Sequence, residues 1–109
     1  MISYEDFEKV QIHTGTIREA SLIPDAKYST HYLIIDFGEE IGIKKSCARL
    51  INYEPDELIG KQIIAVTNFP AKQIGKNMSE VLCLGLPDDQ GNCVLVSPDA
   101  NVSNGAKLF

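Results

Sequence analysis

The feature that most constrains the fold is a series of short runs rich in β-branched and aromatic residues, separated by glycine, proline, asparagine and aspartate. Such runs predict β-strands, because branched and aromatic side chains suit the pleated, half-buried surface of a sheet. We place the strands at Val10–Ala20, Tyr32–Phe37, Ile41–Leu50, Lys61–Phe69, Val81–Leu86 and Cys93–Val96. All are shorter than the roughly 20 apolar residues that a membrane span requires, so we expect no membrane insertion.

The connections between these runs have the composition of turns. Gly15 predicts a bend within the first strand, and Pro24-Asp25-Ala26 ends that strand. Gly38-Glu39-Glu40 is a turn before the third strand, whose expected inward residues, after one change of register, are Ile41, Ile43, Cys47 and Leu50. Residues 87–92 give the strongest hairpin signal, and Asn104-Gly105 predicts a turn before a last short strand at Ala106–Phe109.

Capping residues predict two short helices. Ser3 and Asp6 form a capping box, in which each side chain satisfies a free backbone N–H, and Phe7 and Val10 then fall on one face. Residues 55–60 begin with proline, continue with two acidic residues and end with glycine, which favours a second helix there.

Three strands, a short helix and two more strands follow one another in the order of the five-stranded OB barrel. Another small barrel of short strands is an alternative that this order leaves open. The chain has 109 residues, close to the commonest domain size, so we expect one domain over residues 1–109. The predicted fold is all-β: an OB-fold barrel with short helices and with N- and C-terminal extensions.

Charge is distributed unevenly along the chain. The net charge is −5, yet residues 41–79 carry six basic and three acidic side chains, a balance of +3, which leaves −8 for the rest. This asymmetry permits one basic face on an acidic protein, and a mixed solvated surface is the alternative. Bulk attraction to polyanions is disfavoured, so a nucleic acid would have to bind at a local face.

Residues with catalytic or metal-binding potential lack the necessary spacing. His13 and His31 lie 18 residues apart and in no metal-binding pattern. Gly75-Lys76 lacks the earlier glycine of a phosphate-binding loop. We therefore predict a protein that is not an enzyme and that carries neither a cofactor nor a metal ion.

The cysteines Cys47, Cys83 and Cys93 form no C-x-x-C pair, and the N-terminal residues lack the basic and apolar regions of a secretory signal. Both observations predict a reducing, cytoplasmic location. Cys47 lies near three basic residues that could lower the pKa of its thiol, and the alternative is a buried, inert cysteine.

Residues 67–80 place an amide, an aromatic ring, two lysines, a glycine and a hydroxyl between two predicted strands. We expect a loop there that borders the binding face of the barrel. Its lysines can contact phosphates, and Phe69 can stack on an unpaired base. The alternative is a plain polar loop with the Phe69 ring in the core.

Four stretches of the sequence also carry a family resemblance. They are Asp6-Phe7-Glu8-Lys9 to Thr14-Gly15-Thr16-Ile17; Ile35-Asp36-Phe37-Gly38 with Ile41-Gly42-Ile43-Lys44-Lys45-Ser46; Ile64-Ala65-Val66-Thr67-Asn68-Phe69-Pro70; and Ser79-Glu80-Val81-Leu82. Together they resemble the CsaA family of bacterial and archaeal proteins. That family is a stand-alone relative of the tRNA-binding domain of methionyl- and phenylalanyl-tRNA synthetases, and the resemblance covers essentially the whole chain.

The resemblance implies an OB fold and a homodimer built through segments outside the barrel, here the helix around Phe7 and the segment Val102–Phe109. It also implies a cytoplasmic chaperone that binds unfolded polypeptides or preproteins awaiting export, with a capacity to bind tRNA. A dedicated module that recognises the shape of tRNA through a basic face is the alternative function.

The resemblance also indicates which residues would contact tRNA. Asn68-Phe69-Pro70 and Ser79 match the tRNA-facing motif of the family, and Lys44 matches a lysine in the third strand. Lys72-Gln73 replaces a frequent pair of arginines and Glu80 replaces a frequent glycine, which predicts weaker phosphate contacts. The candidate RNA-binding residues are Lys44, Lys45, Arg49, Asn68, Phe69, Lys72, Gln73, Lys76 and Ser79.

Overall fold

The computed structural model describes residues 1–24 and 27–109, which contain three short helices and nine strands. The helices are Tyr4–Lys9 (α1), Gly38–Ile41 (α2) and Pro55–Leu58 (α3). The strands are Ile12–Leu22 (β1), His31–Asp36 (β2), Ile43–Ala48 (β3), Gln62–Val66 (β4), Lys72–Ile74 (β5), Asn77–Ser79 (β6), Leu82–Cys83 (β7), Gly85–Pro87 (β8) and Cys93–Leu95 (β9). The predicted break at Pro24-Asp25-Ala26 includes Asp25 and Ala26, which lie outside the described residues.

Five strands form one antiparallel sheet, in the order β3-β2-β1-β4-β7, that curls into a nearly closed barrel. Side chains from the end of β6 complete the seam with β3. The Ser79 hydroxyl accepts a hydrogen bond from the Cys47 backbone N–H at 3.0 Å. The Glu80 carboxylate accepts one from the Lys45 backbone N–H at 3.2 Å. Because α3 lies between β3 and β4 in the chain, the predicted OB fold is confirmed.

Apolar side chains from the sheet, its connections and α3 fill the barrel; they are Ile17, Leu33, Ile35, Phe37, Leu50, Leu58, Ile63, Ala65 and Val81. Gly15 makes this packing possible, because a Cβ there would lie 2.7 Å from both Ile35 Cγ2 and the Phe37 ring. The irregularity of β1 lies instead between Ile17 and Glu19, where its register with β2 shifts. Gly15 is therefore a position of close packing, and the bend predicted there is displaced along the strand.

The inward residues of β3 differ from the prediction. Ile43, expected inside, is 56% exposed, whereas Ser46 is buried opposite Leu33 of β2. The polar side chain is tolerated there because Ser46 Oγ donates to the Val81 carbonyl at 3.0 Å. Leu50 is buried as predicted, and Ile41 and Cys47 are half-buried.

The chain ends are attached to the barrel by backbone hydrogen bonds and by amide side chains. The predicted capping box of α1 is confirmed, with Ser3 and Asp6 bonded reciprocally at 3.1 Å. Asn68 fixes the end of α1, since its Nδ2 donates to the Lys9 carbonyl at 2.8 Å. At the other end, the predicted turn at Asn104-Gly105 is present, but the predicted strand at Ala106–Phe109 is reduced to an isolated bridge at Lys107, beside which the Leu108 N–H donates to the Ile12 carbonyl at 2.8 Å.

Three further predictions concern the hairpin, the second helix and a turn, and a fourth concerns the length of one strand. The hairpin at residues 87–92 is confirmed by the antiparallel pair β8–β9, and the helix after residue 55 by α3. Gly38-Glu39-Glu40, predicted as a turn, is the first part of α2. The predicted fourth strand is too long, because β4 ends at Val66 and the chain then turns towards α1. Among the described residues, the helices are all too short and polar to cross a membrane.

Candidate nucleic-acid interface

The segment predicted as a binding loop contains a two-stranded hairpin, β5–β6. Lys72 pairs with Ser79 and Ile74 with Asn77. The turn is made at Gly75, whose φ of +61° is a left-handed conformation that glycine adopts without steric cost. The predicted loop therefore contains two short paired strands, and it lies between two barrel strands as expected.

The two faces of this hairpin are different. Lys72, Ile74 and Ser79 line a cleft of about 470 Å³ that lies between the hairpin and β3. Gln73 and Met78 pair with each other and are exposed, on the alternate positions of the two strands. Successive residues of a strand point to opposite sides, so the structure separates Gln73 from the other predicted binding residues.

The walls of this cleft, which we call the hairpin cleft, are mainly apolar. Phe69, Pro70, Ile74 and Leu82 lie along it, with Lys72 and Glu80 as its charged residues. The Phe69 side chain is 54% exposed, which excludes the alternative in which its ring fills the core. An exposed ring beside lysines can stack on a base or contact an apolar side chain.

Basic residues surround the hairpin cleft. Lys45 and Arg49 flank Cys47 at a spacing of two along β3 and its end, and Cys47 lines the cleft. Lys44 lies at the alternate position of β3, and its Nζ is 3.8 Å from Glu80 Oε2. We call the cations of the hairpin and of the adjoining β3 and its end, taken together, the basic face; its members are Lys44, Lys45, Arg49, Lys72 and Lys76.

A second cleft, of about 660 Å³, lies on the other side of the hairpin tip. It is lined by Lys76 and by residues that the sequence analysis missed, Lys27 and Tyr28. The Tyr28 ring is 81% exposed, and its carbonyl accepts a hydrogen bond from Arg49 Nη1 at 3.4 Å. The sequence signal that could have identified them is a lysine next to an aromatic residue in the connection between two strands.

The side chain of Asn68 contacts the N-terminal extension and not the basic face. Its Oδ1 accepts from the Gln11 backbone N–H at 3.0 Å, and its Nδ2 donates to the Lys9 carbonyl. Both ends of the Asn68 amide therefore hold the N-terminal extension against the end of β4. Neither of these two hydrogen bonds is made to the hairpin.

The Cys47 and Cys83 thiols and the His31 ring have environments that are typical of structural residues. Burial raises the pKa of the Cys47 thiol despite the neighbouring cations, and burial raises the pKa of Cys83 to about 11. Both therefore stay protonated at neutral pH, in accord with the inert alternative. His31 is buried with its ring nitrogens 2.6 Å from Thr30 Oγ1 and 3.0 Å from the Tyr53 carbonyl. Within the described ranges, no group of three His, Cys, Asp or Glu residues could hold a metal ion.

The barrel, the hairpin and the basic face together define a class of protein. Residues 12–107 match the family described as "Putative tRNA binding domain", so the chain belongs to this family of tRNA-binding domains. Within that class, the fold and sequence place it in the CsaA family. The "CsaA chaperone protein" of Picrophilus torridus is 46% identical over the whole of both chains, with a TM-score of 0.92. The "chaperone CsaA" of Bacillus anthracis is 40% identical over 100% of this chain and 99% of its own, with a TM-score of 0.89.

Larger proteins contain the same domain. The chain is 36% identical over 98% of its length to the methionine–tRNA ligase of Methanocaldococcus jannaschii, of which it covers 16%. It is 31% identical to the corresponding ligase of Porphyromonas gingivalis, over 98% of this chain and 15% of the ligase. The chain thus spans about a sixth of the length of these relatives.

Proposed function

We propose that this protein is a non-catalytic module that binds tRNA through its basic face. The observation that supports this proposal most directly is the presence of five cations on the hairpin and on the adjoining β3 and its end, in a chain of net charge −5. Lysine and arginine side chains on such a face neutralise phosphates and release counterions, which supplies sequence-independent affinity.

Two exposed rings add a second kind of contact. Phe69 lies on one side of the hairpin and Tyr28 on the other, each beside a lysine. Unpaired bases of a folded RNA stack on such rings, while the lysines contact the adjoining backbone. The membership of the chain in the tRNA-binding-domain family, and its similarity to a segment of methionine–tRNA ligases, support tRNA as the RNA.

The test replaces the two hairpin lysines. Lys72→Glu together with Lys76→Glu should weaken the binding of bulk tRNA and flatten the slope of log Kd against log salt by about one for each lost phosphate contact. The control, Lys9→Glu together with Lys61→Glu, makes the same charge change outside the basic face. Fluorescence anisotropy between about 50 and 200 mM salt measures both quantities. Equal effects in the two double variants would contradict the proposed site.

A second function, a chaperone that holds unfolded or export-bound polypeptides in the cytoplasm, is favoured by a different observation. The hairpin cleft is bordered by exposed apolar side chains, among them Phe69 and Leu82. Exposed apolar surface of this kind can cover the hydrophobic segments of an unfolded client. The similarity to two CsaA chaperones supports this activity, and the three free thiols suit a reducing compartment.

A homodimer is part of the same proposal. Tyr4 of α1 and Leu108 of the C-terminal segment line one depression, and they are 70% and 41% exposed. Both belong to the extensions that the five-stranded barrel does not require. Pairing these extensions between two copies would remove their apolar surface from water.

A further inference from the structure

We infer that the hairpin cleft binds one unpaired nucleobase and prefers guanine, with Glu80 as the residue that determines the preference. The inference rests on the proposed RNA-binding function, and it adds a specific base contact to a face otherwise suited to phosphates. It is carried by the fixed position of the Glu80 carboxylate at the edge of a mainly apolar cleft.

The Glu80 carboxylate is held in place on two sides. Its Oε1 accepts from the Lys45 backbone N–H at 3.2 Å, and its Oε2 lies 3.8 Å from Lys44 Nζ. The backbone of Glu80 is also fixed, since its N–H donates to the Lys45 carbonyl at 2.8 Å. A carboxylate has about four acceptor sites, so each oxygen keeps acceptor capacity for a ligand. The two carboxylate oxygens of Glu80 are therefore acceptors whose orientation is fixed before a ligand binds.

The Ser79 hydroxyl supplies a hydrogen-bond donor farther along the strand. Its oxygen accepts from the Cys47 backbone N–H at 3.0 Å, so its own hydrogen is available to donate. Lys45 and Cys47 are two residues apart on β3, which separates their amides by about 7 Å. Ser79 therefore lies too far from Glu80 to share one base edge with it, and its donor is available to the sugar or to a flanking nucleotide.

Guanine is the base whose Watson–Crick edge matches the acceptor pair of Glu80. Its N1–H and N2–H₂ groups are neighbouring donors, which the two oxygens of the Glu80 carboxylate can accept together. Adenine would place its N1 acceptor against the Glu80 carboxylate, which leaves both groups unpaired. Discrimination is strong where a site's polar groups are left unpaired by the wrong ligand.

The remaining walls complete a base site. The exposed Phe69 ring offers a stacking surface, and Lys72 lies at the cleft beside it, where it can contact a flanking phosphate. The cleft volume of about 470 Å³ is ample for a base and part of its sugar. An apolar side chain of a polypeptide would fill the same space less well, because it would desolvate Glu80 without supplying donors.

The experiment compares four labelled trinucleotides, UGU, UAU, UCU and UUU, with bulk tRNA measured in parallel on the full chain. We expect UGU to bind about ten-fold more tightly than the other three, because one bidentate base contact provides discrimination of about this size. Glu80→Gln should reduce this preference to less than about three-fold, since an amide keeps only one acceptor oxygen. It should leave tRNA affinity equal or higher, because a negative charge is removed. The control Glu40→Gln makes the same change on the exposed end of α2 and should keep the preference.

Phe69→Ala gives an independent readout, because loss of stacking should weaken all four trinucleotides by about ten-fold. Equal affinities for the four in the unchanged protein, or a guanine preference that survives Glu80→Gln, would overturn the inference. So would displacement of UGU and UUU alike by an unfolded polypeptide, which would show that the cleft takes apolar side chains. Guanine preference without tRNA binding would support the cleft and contradict the proposed function.

Discussion

At the scale of single residues, the buried hydroxyl of Ser46 connects β3 to the chain that enters β7. Ser46 Oγ donates to the Val81 carbonyl at 3.0 Å and accepts from the Cys83 thiol at 3.7 Å. The raised pKa of Cys83 keeps that thiol protonated and able to donate. Val81 and Ser46 are both almost inaccessible to water, so a lost bond could not be replaced by a solvent contact.

Ser46→Ala should therefore lower the free energy of unfolding by about 1–3 kcal/mol, the cost of leaving a buried carbonyl without a donor. Urea unfolding measures this change, with the exposed Ser21→Ala on β1 as the control, for which we expect less than about 0.5 kcal/mol. Equal losses in the two variants would show that the buried hydrogen bond contributes nothing.

At the scale of elements, the C-terminal segment lies beside a histidine of β1. The backbones of His13 and Lys107 pair in an isolated bridge, and His13 Nδ1 lies 2.9 Å from Thr67 Oγ1. Burial, and then the positive charge of Lys107, lower the pKa of His13 from its ordinary value of 6.5. The folded state thus disfavours the charged ring, and the unfolded state binds the proton more readily.

Acidification should consequently loosen this segment. The contribution of neutral His13 is complete above pH 6.5 and is lost as the pH falls from there through the lowered folded-state pKa. Hydrogen exchange at the Leu108 amide, corrected for the intrinsic rate, should accelerate between pH 7.5 and 5.5 in the unchanged protein. It should accelerate less in His13→Gln, which has no proton to gain. An identical pH response in both proteins would exclude His13 as the cause.

Sequence patterns predicted some elements and missed others for physical reasons. The capping box of Ser3 and the hairpin between β8 and β9 depend on residues close in the chain, and both were found. The inward position of Ser46 depends on the carbonyl of Val81, a partner 35 residues away that no local pattern shows. The β5–β6 hairpin was missed because each strand is only three residues long and its half-buried face carries mostly polar side chains, so the sequence lacks an apolar alternation.

The candidate site was predictable in composition and only partly in arrangement. The lysines at 72 and 76 and the ring of Phe69 were singled out, and the structure gathers them around one hairpin. Tyr28 joins them from the connection between β1 and β2, a proximity that arises only when the barrel closes. Gln73 is separated from them by strand alternation, which could not be assigned before the hairpin itself was known.

At the scale of the whole molecule, the exposed apolar residues of the N- and C-terminal extensions predict that two chains associate. Light scattering at micromolar concentration should give a particle of twice the 12.0 kDa chain mass, because exposed apolar side chains on α1 and the C-terminal segment favour pairing. Tyr4→Glu combined with Leu108→Glu should give the 12.0 kDa particle, since both charges would be buried in the contact. A single-chain mass for the unchanged protein would refute the dimer.

The seam between β3 and residues 79 and 80 limits which side chains these two positions can carry. The amides of Lys45 and Cys47 are satisfied by the side chains at positions 80 and 79, where an ordinary sheet would use backbone carbonyls. A substitution that removes the oxygen at position 80 leaves the Lys45 amide to water, since Lys45 is exposed. Threonine, acids and amides can keep a bond to β3, whereas a glycine at position 80 gives up both that bond and the carboxylate beside the hairpin cleft. Relatives with glycine there should close the seam with the side chain at position 79 alone and should lack the guanine preference inferred for this chain.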